Sequence, residues 1–356
     1  MKKYKITPFQ YLIFTFFLLN SFISLIGYHS ITKISLTSSI ISIIIGYLLI
    51  TIFTYFLRKI YHYKDNLNII DKIKKLFPKL NIILLLILLL ITITSILYSL
   101  NNTVTFINYY VLKDVDLIII TFTLLITIFY ILTKDMDTIF KLAEICFYIY
   151  IFIFIIVLIG INKYINLYNI KPILVSDIKS IVTSSIIYLL SSIIPLVTLG
   201  IIPINKISKE KKFDSSINNA IKLSSIFVFF NLFLIITSLG IELTNIYQNP
   251  DMILYKKISF LNILDRVEST IAFNNILNSL FFIIISIYFL KEIIMEIFKI
   301  KKQKETLFLS LIILTLIIIG TIVTIPQCLY IISNLLCLFV VIIIYIRLFI
   351  DKYIHQ

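Results

Sequence analysis

The run Ile181-Val182-Thr183-Ser184-Ser185-Ile186-Ile187-Tyr188-Leu189-Leu190-Ser191-Ser192-Ile193-Ile194-Pro195-Leu196-Val197-Thr198-Leu199-Gly200 contains no formal charge. It is long enough to cross ~30 Å of hydrocarbon as a helix rising ~1.5 Å per residue. A single such run can satisfy its own backbone in lipid only as a helix. Pro195 removes one backbone donor and crowds the turn before it, which frees carbonyl oxygen near Ser191 and Ser192 at mid-depth. Two outcomes fit this pattern. Either the freed backbone lines a wet cavity, or the hydroxyls of the run bond their own helix and the helix merely kinks.

The rest of the chain extends this reading. Of 356 residues, 60% are apolar and 14% charged, and the mean hydropathy is +1.05. Soluble domains are closer to half apolar and a quarter charged. The composition excludes a water-soluble enzyme, a disordered chain and a disulfide scaffold, and predicts an all-α polytopic membrane protein. Ten segments have the length and apolarity of a spanning helix: Pro8–Tyr28, Leu36–Leu57, Leu80–Leu100, Val115–Leu132, Leu142–Ile161, Ile181–Ile204, Leu223–Ile241, Asp265–Leu290, Leu307–Thr324 and Leu329–Ile350. Lys and Arg number 32 against 18 Asp and Glu. In a membrane protein that excess is a topology signal, so no nucleic-acid partner is implied. With the N-terminus in the cytoplasm, 24 of the basic residues fall on inner connections and 8 on outer ones, so both termini are expected inside. The basic start followed by Pro8–Tyr28 reads as a first span rather than a cleaved leader. Within the polar stretch Arg58–Lys79, residues Leu67–Ile73 are amphipathic. They suit a helix lying on the inner leaflet, with lysines toward anionic lipid, or a plain basic loop.

Polar residues inside spans are the places to look for function. The first span has Asn20, Ser21 and Ser24 in its middle and then Gly27, with His29 read as an exposed loop residue beyond it. Spans one and six are therefore the two polar-interrupted helices, five apart and running in opposite directions. That matches a 5+5 inverted repeat, with residues 1–161 and 181–350 as the halves and 162–180 connecting them. A merely polar contact between helices would leave the same trace. Arg266 and Glu268, at the mouth of span eight, are two positions apart and face different sides of a helix, so each needs another partner. Glu144 lies one turn into span five. These three are candidates for gate or subunit contacts, or for side chains reaching out to water. Cys146, Cys328 and Cys337 lack metal-ligand spacing and are expected to be buried, inert thiols. Neither HExxH, GxSxG nor a Walker A run occurs, so no enzyme, metal or cofactor is expected.

Three stretches together resemble a known family. They are Lys5-Ile6-Thr7-Pro8-Phe9-Gln10 entering span one, Asn169-Ile170-Lys171-Pro172-Ile173-Leu174 before span six, and Phe260-Leu261-Asn262-Ile263-Leu264-Asp265-Arg266-Val267-Glu268-Ser269 opening span eight. Their order and spacing resemble the B-subunit permeases of GerA-type spore germinant receptors over essentially the whole chain. The Trp that relatives often carry after Arg-x-Glu is absent. The resemblance implies membership of the amino acid/polyamine/organocation superfamily and a place in the inner membrane of the spore. It implies a larger membrane A subunit and a C lipoprotein as partners, and a nutrient ligand, often an amino acid.

On these grounds a small nutrient is expected at the midplane between helices one and six, in contact with Asn20, Ser24, Ser191, Ser192 and Thr198 beside Pro195. A secondary amino-acid transporter would need the same midplane site. A scaffold subunit without a ligand would instead pack span six tightly.

Overall fold

Thr7 and Gln10 start the first helix. Each side chain caps the other's backbone N–H, at 3.2 and 3.0 Å, and Pro8 occupies the first helical position, where a missing N–H costs nothing. The computed structural model describes residues 5–257, 267–300 and 305–354. In chain order its helices are α1 (Pro8–Leu25), α2 (Gly27–Ser35), α3 (Ser39–Tyr61), α4 (Ile69–Leu76), α5 (Asn81–Tyr110), α6 (Leu117–Leu132) and α7 (Met136–Ile161). After a connection of short 3₁₀ turns follow α8 (Ile178–Leu199), α9 (Phe213–Ile246), α10 (Pro250–Lys256), α11 (Val267–Ile297), α12 (Glu305–Ile322) and α13 (Gln327–Ile354). Among the described residues there is no strand, only an isolated parallel bridge between Ile6 and Ile207.

Seven helical stretches among the described residues are long and apolar enough to cross a membrane, and two shorter apolar helices, Leu117–Leu132 and Phe308–Thr321, accompany them. The helices follow the expected segments with different ends: α1 and α8 stop short of them, at Leu25 and Leu199, and others overrun. α5 continues to Tyr110 and α9 begins at Phe213, ten residues ahead of the expected Leu223. Hydropathy marks the apolar core of a helix, whereas i→i−4 bonding carries on into polar sequence.

α1 sits at the centre, packed against α7, α8, α9 and α11. It is apolar nearly all round, as a buried helix must be. Its aromatic rings lock into those neighbours: Phe14 on Phe140 at 4.4 Å, Phe17 on Phe281 at 4.8 Å, and Phe16 edge-on to Phe227 at 5.7 Å. The rim shows the opposite pattern. Ile118, Ile119 and Phe122 on α6 and Leu311, Leu314 and Ile318 on α12 turn large apolar side chains outward, as a lipid-facing surface does.

α3 and α8 approach closely because their facing residues are small. Ser184 donates to Ser42 at 2.7 Å, and a Cβ on Gly46 would stand 2.6 Å from a ring carbon of Tyr188. Two expectations change, and of the two alternatives for Leu67–Ile73 the helical one is found. His29 belongs to α2 and is half-buried rather than in a loop, because the helix resumes after Gly27. Cys328 is exposed at the start of α13, while Cys337 is buried and Cys146 partly so. The amphipathic stretch forms a helix, α4, whose isoleucines pack inward while the Ile69 N–H bonds the Gly200 carbonyl at 2.8 Å.

Candidate functional site

The first helix breaks at Ile26 and Gly27. Gly27 has φ +75°, in the region that favours glycine, so α1 stops and α2 restarts in a new direction. Space does not demand the glycine, since a Cβ there would meet nothing nearer than the Gln248 carbonyl at 3.7 Å. The backbone conformation does. The carbonyl left over at Leu25 is taken up by α5: Tyr98 donates its hydroxyl at 2.7 Å and Asn102 its amide at 3.1 Å.

Beside this break opens a cavity of about 490 Å³, walled by Ser24 and Gly27, by Asn102 and Tyr109 of α5, and by Tyr247 and Asn249 after α9. Ile23 lines it and also a second, smaller pocket behind it. The smaller pocket lies under α10 and has a volume of about 10 Å³, enough for roughly one water molecule. Its walls are unusually polar for the heart of a bundle. Asp251, at the first turn of α10, points inward and is 3% exposed. It accepts the Asn275 amide at 2.7 Å. Burial raises the pKa of its carboxyl, opposed by Asn275 and by the backbone N–H groups of Met252 and Asp251 itself. Tyr255 donates to Asn231 at 3.3 Å, and burial pushes its phenol well above the ordinary value. Asn274 and Asn278 donate to the carbonyl and the hydroxyl of Tyr150, at 3.3 and 3.4 Å.

Several buried polar atoms here have no hydrogen-bond partner among the described residues: the Tyr28 hydroxyl, Oδ1 of Asn274 and of Asn278, and Nδ2 of Asn20. Each such group costs roughly 1–3 kcal/mol when left unmade. Two of them, the Tyr28 hydroxyl and Asn274 Oδ1, line the small pocket, which makes it a place able to meet something polar.

The expected residues divide between this region and α8. Asn20 is fully buried on α1 and accepts the Ser224 hydroxyl at 3.2 Å, leaving its amide free. Ser24 lines the large cavity and donates to the Ser21 carbonyl at 2.9 Å. On α8 the helix runs unbroken through Pro195. Ser191 donates to Tyr188, Ser192 to Leu189 and Thr198 to Pro195, at 2.7, 2.6 and 2.9 Å. The hydroxyls thus bond their own helix, the second of the two outcomes that its sequence allows. From α13, Asn334 Oδ1 stands 3.4 Å from the Ile194 N–H, next to the proline.

Glu144 accepts the Gln10 amide at 2.8 Å, so it fixes the start of α1 to α7. Arg266 and the side chain of Glu268 lie outside the described residues. The pocket residues Asp251, Asn274 and Asn275, and Asn278 bonded to Tyr150 beside them, were not expected. Their signal was available: three asparagines within five positions of an apolar span break the same rule that singles out Asn20.

The site thus joins a broken central helix, an open cavity and a polar pocket inside a bundle of apolar helices. Comparison with curated proteins finds no match. The family model described as spore germination protein matches residues 5–328, nearly the whole chain. The chain is an integral membrane protein and belongs to the spore germination protein family.

Proposed function

We propose that the chain is the nutrient-binding subunit of a spore germinant receptor, taking a small molecule of the amino-acid class. The observation that carries this reading is the 490 Å³ cavity at the α1–α2 break, beside a smaller pocket lined by the unpartnered Tyr28 hydroxyl and Asn274 Oδ1. Its size falls in the range of small-ligand sites. Ser24 lines the cavity, and Asn20 lies one turn earlier on α1 and is fully buried. Ser191, Ser192 and Thr198, beside Pro195 on α8, are the proposed contacts for a ligand that reaches mid-depth. Binding would favour one arrangement of the break, and the A subunit and C lipoprotein would read it. Arg266, Glu268 and Glu144 are the proposed gate or subunit contacts.

The ten long helices would all span, in two inverted halves. Packing supports this where helix pairs exchange under the swap of halves, although α1 packs on α11 with no comparable α8–α5 pair among the described residues. α1 packs on α9 as α8 does on α3, and α1 on α7 as α8 does on α13. α5 meets α12 and α13 as α11 meets α6 and α7. The charge asymmetry supports both termini in the cytoplasm, and the membrane would be the inner one of the spore.

One observation favours transport as a second reading. The end where α1 begins is tied shut by Ile6 against Lys206 and Ser208, at 3.1 and 2.9 Å, while the cavity opens at the other end. Alternating access needs such an arrangement.

Ser24→Leu would fill the cavity mouth. In spores carrying it, the nutrient dose for half-maximal dipicolinate release is expected to rise at least tenfold, with the chain still present in the membrane. An unchanged dose response would reject the cavity as the site.

A further inference from the structure

The pocket under α10 has three properties that together narrow what it can hold. It is the size of one water molecule. Among the described residues it is lined by one carboxylate, Asp251, and by neither Lys, Arg nor His. Its remaining polar groups offer oxygen: the unpartnered Tyr28 hydroxyl and Asn274 Oδ1, and Asn231 Oδ1, which accepts only the Tyr255 hydroxyl. A buried carboxylate without a counter-charge is among the most costly groups a fold can carry. Asn275 and two backbone N–H groups relieve that cost with hydrogen bonds but bring no positive charge. A divalent ion would call for more than one acidic ligand, and no cluster of three His, Cys, Asp or Glu residues exists among the described residues.

We propose that this pocket binds a compact, singly positive group with Asp251 as its counter-charge and Tyr28 and Asn274 as oxygen ligands. The group is either the primary ammonium of the nutrient, entering past Ile23 from the adjoining cavity, or an alkali cation. The first source deepens the nutrient reading above and rests on it. Residues from α2, α9, α10 and α11 meet at the pocket. Occupancy would therefore tie the restart of the broken helix to α10 and α11, linking the state of the site to the shape of the break. α10 contributes Asp251 from its own first turn, so the same carboxylate holds the helix and the occupant.

The test uses the full chain in lipid nanodiscs at constant ionic strength. Choline chloride is replaced in turn by sodium, potassium and methylammonium chloride while the thermal unfolding midpoint is followed. Choline is too large for a water-sized pocket and serves as the reference. The wild-type midpoint is expected to rise with at least one small cation, and Asp251→Asn to lose that rise. A rise with sodium or potassium identifies an alkali ion, and a rise with methylammonium alone identifies the ligand's ammonium. Equal midpoints in choline and every small cation, or an equal rise in Asp251→Asn, would overturn the site and leave Asp251 as a cap for α10. If Asp251→Asn is not recovered folded, Asn274→Ala keeps the carboxylate and removes one oxygen. It is expected to shift the cation titration at least tenfold upward, and no shift would overturn the assigned ligands. Germination of spores with and without the gene is scored separately. A silent cation titration beside an intact nutrient response then rejects this pocket alone.

Discussion

Gly27 is the residue on which the shape of the site depends most directly. At φ +75° a Cβ costs about 1 kcal/mol or more in backbone strain, and no contact in its surroundings repays it. Gly27→Ala is expected to lower the thermal unfolding midpoint, with Gly27→Asn milder because asparagine tolerates this region better. Equal midpoints for all three chains would show that the break does not need the glycine. This residue was legible as a position of interest, since it follows a polar patch in an apolar span. Its conformation was not legible, because one glycine among so few is equally a packing choice. Asp251 was harder still. From sequence it sits in an outer polar connection, and only the turn of α10 at Pro250 swings it into the bundle.

At the scale of elements, hydropathy located ten long helices among the described residues, seven of them in stretches long and apolar enough to span, and misjudged several of their ends. Their ends are set by caps and turns, which apolarity does not report. The serines and threonine of α8 are legible in the sequence, but the fate of their hydroxyls is not; they bond the carbonyls of Tyr188, Leu189 and Pro195. α4 carries a prediction of its own. Lys72 is buried under it, donating to the Tyr61 carbonyl, and burial lowers its pKa from 10.5 to about 8. A depressed lysine pKa adds stability at high pH, and that contribution is lost as the pH falls through the folded value. The unfolding midpoint should therefore rise between about pH 8 and 10.5, and Lys72→Met should reduce that rise. An identical pH profile in the variant would show that Lys72 is not the group responsible. Tyr61 also donates to the Leu196 carbonyl at 2.5 Å, so α4 is linked through it to the end of α8.

At the scale of the whole molecule, one end is held closed and the other is open. The Ile6–Ile207 bridge, the Gln10–Glu144 bond and the pairing of His62 with Asp214 at 3.0 Å all lie toward the closed end. The cavity and α10 lie toward the open one. A protein so arranged can take a ligand from one side and report it by loosening the other. The family membership fixes the biological setting as spore germination. The most direct measurement is dipicolinate release from spores lacking this gene, scored against a panel of amino acids, nucleosides and sugars and compared with the parent strain. Loss of response to one nutrient class, restored by the wild-type gene and not by Ser24→Leu, is the result expected of a nutrient-binding subunit. A normal response to the whole panel would contradict it.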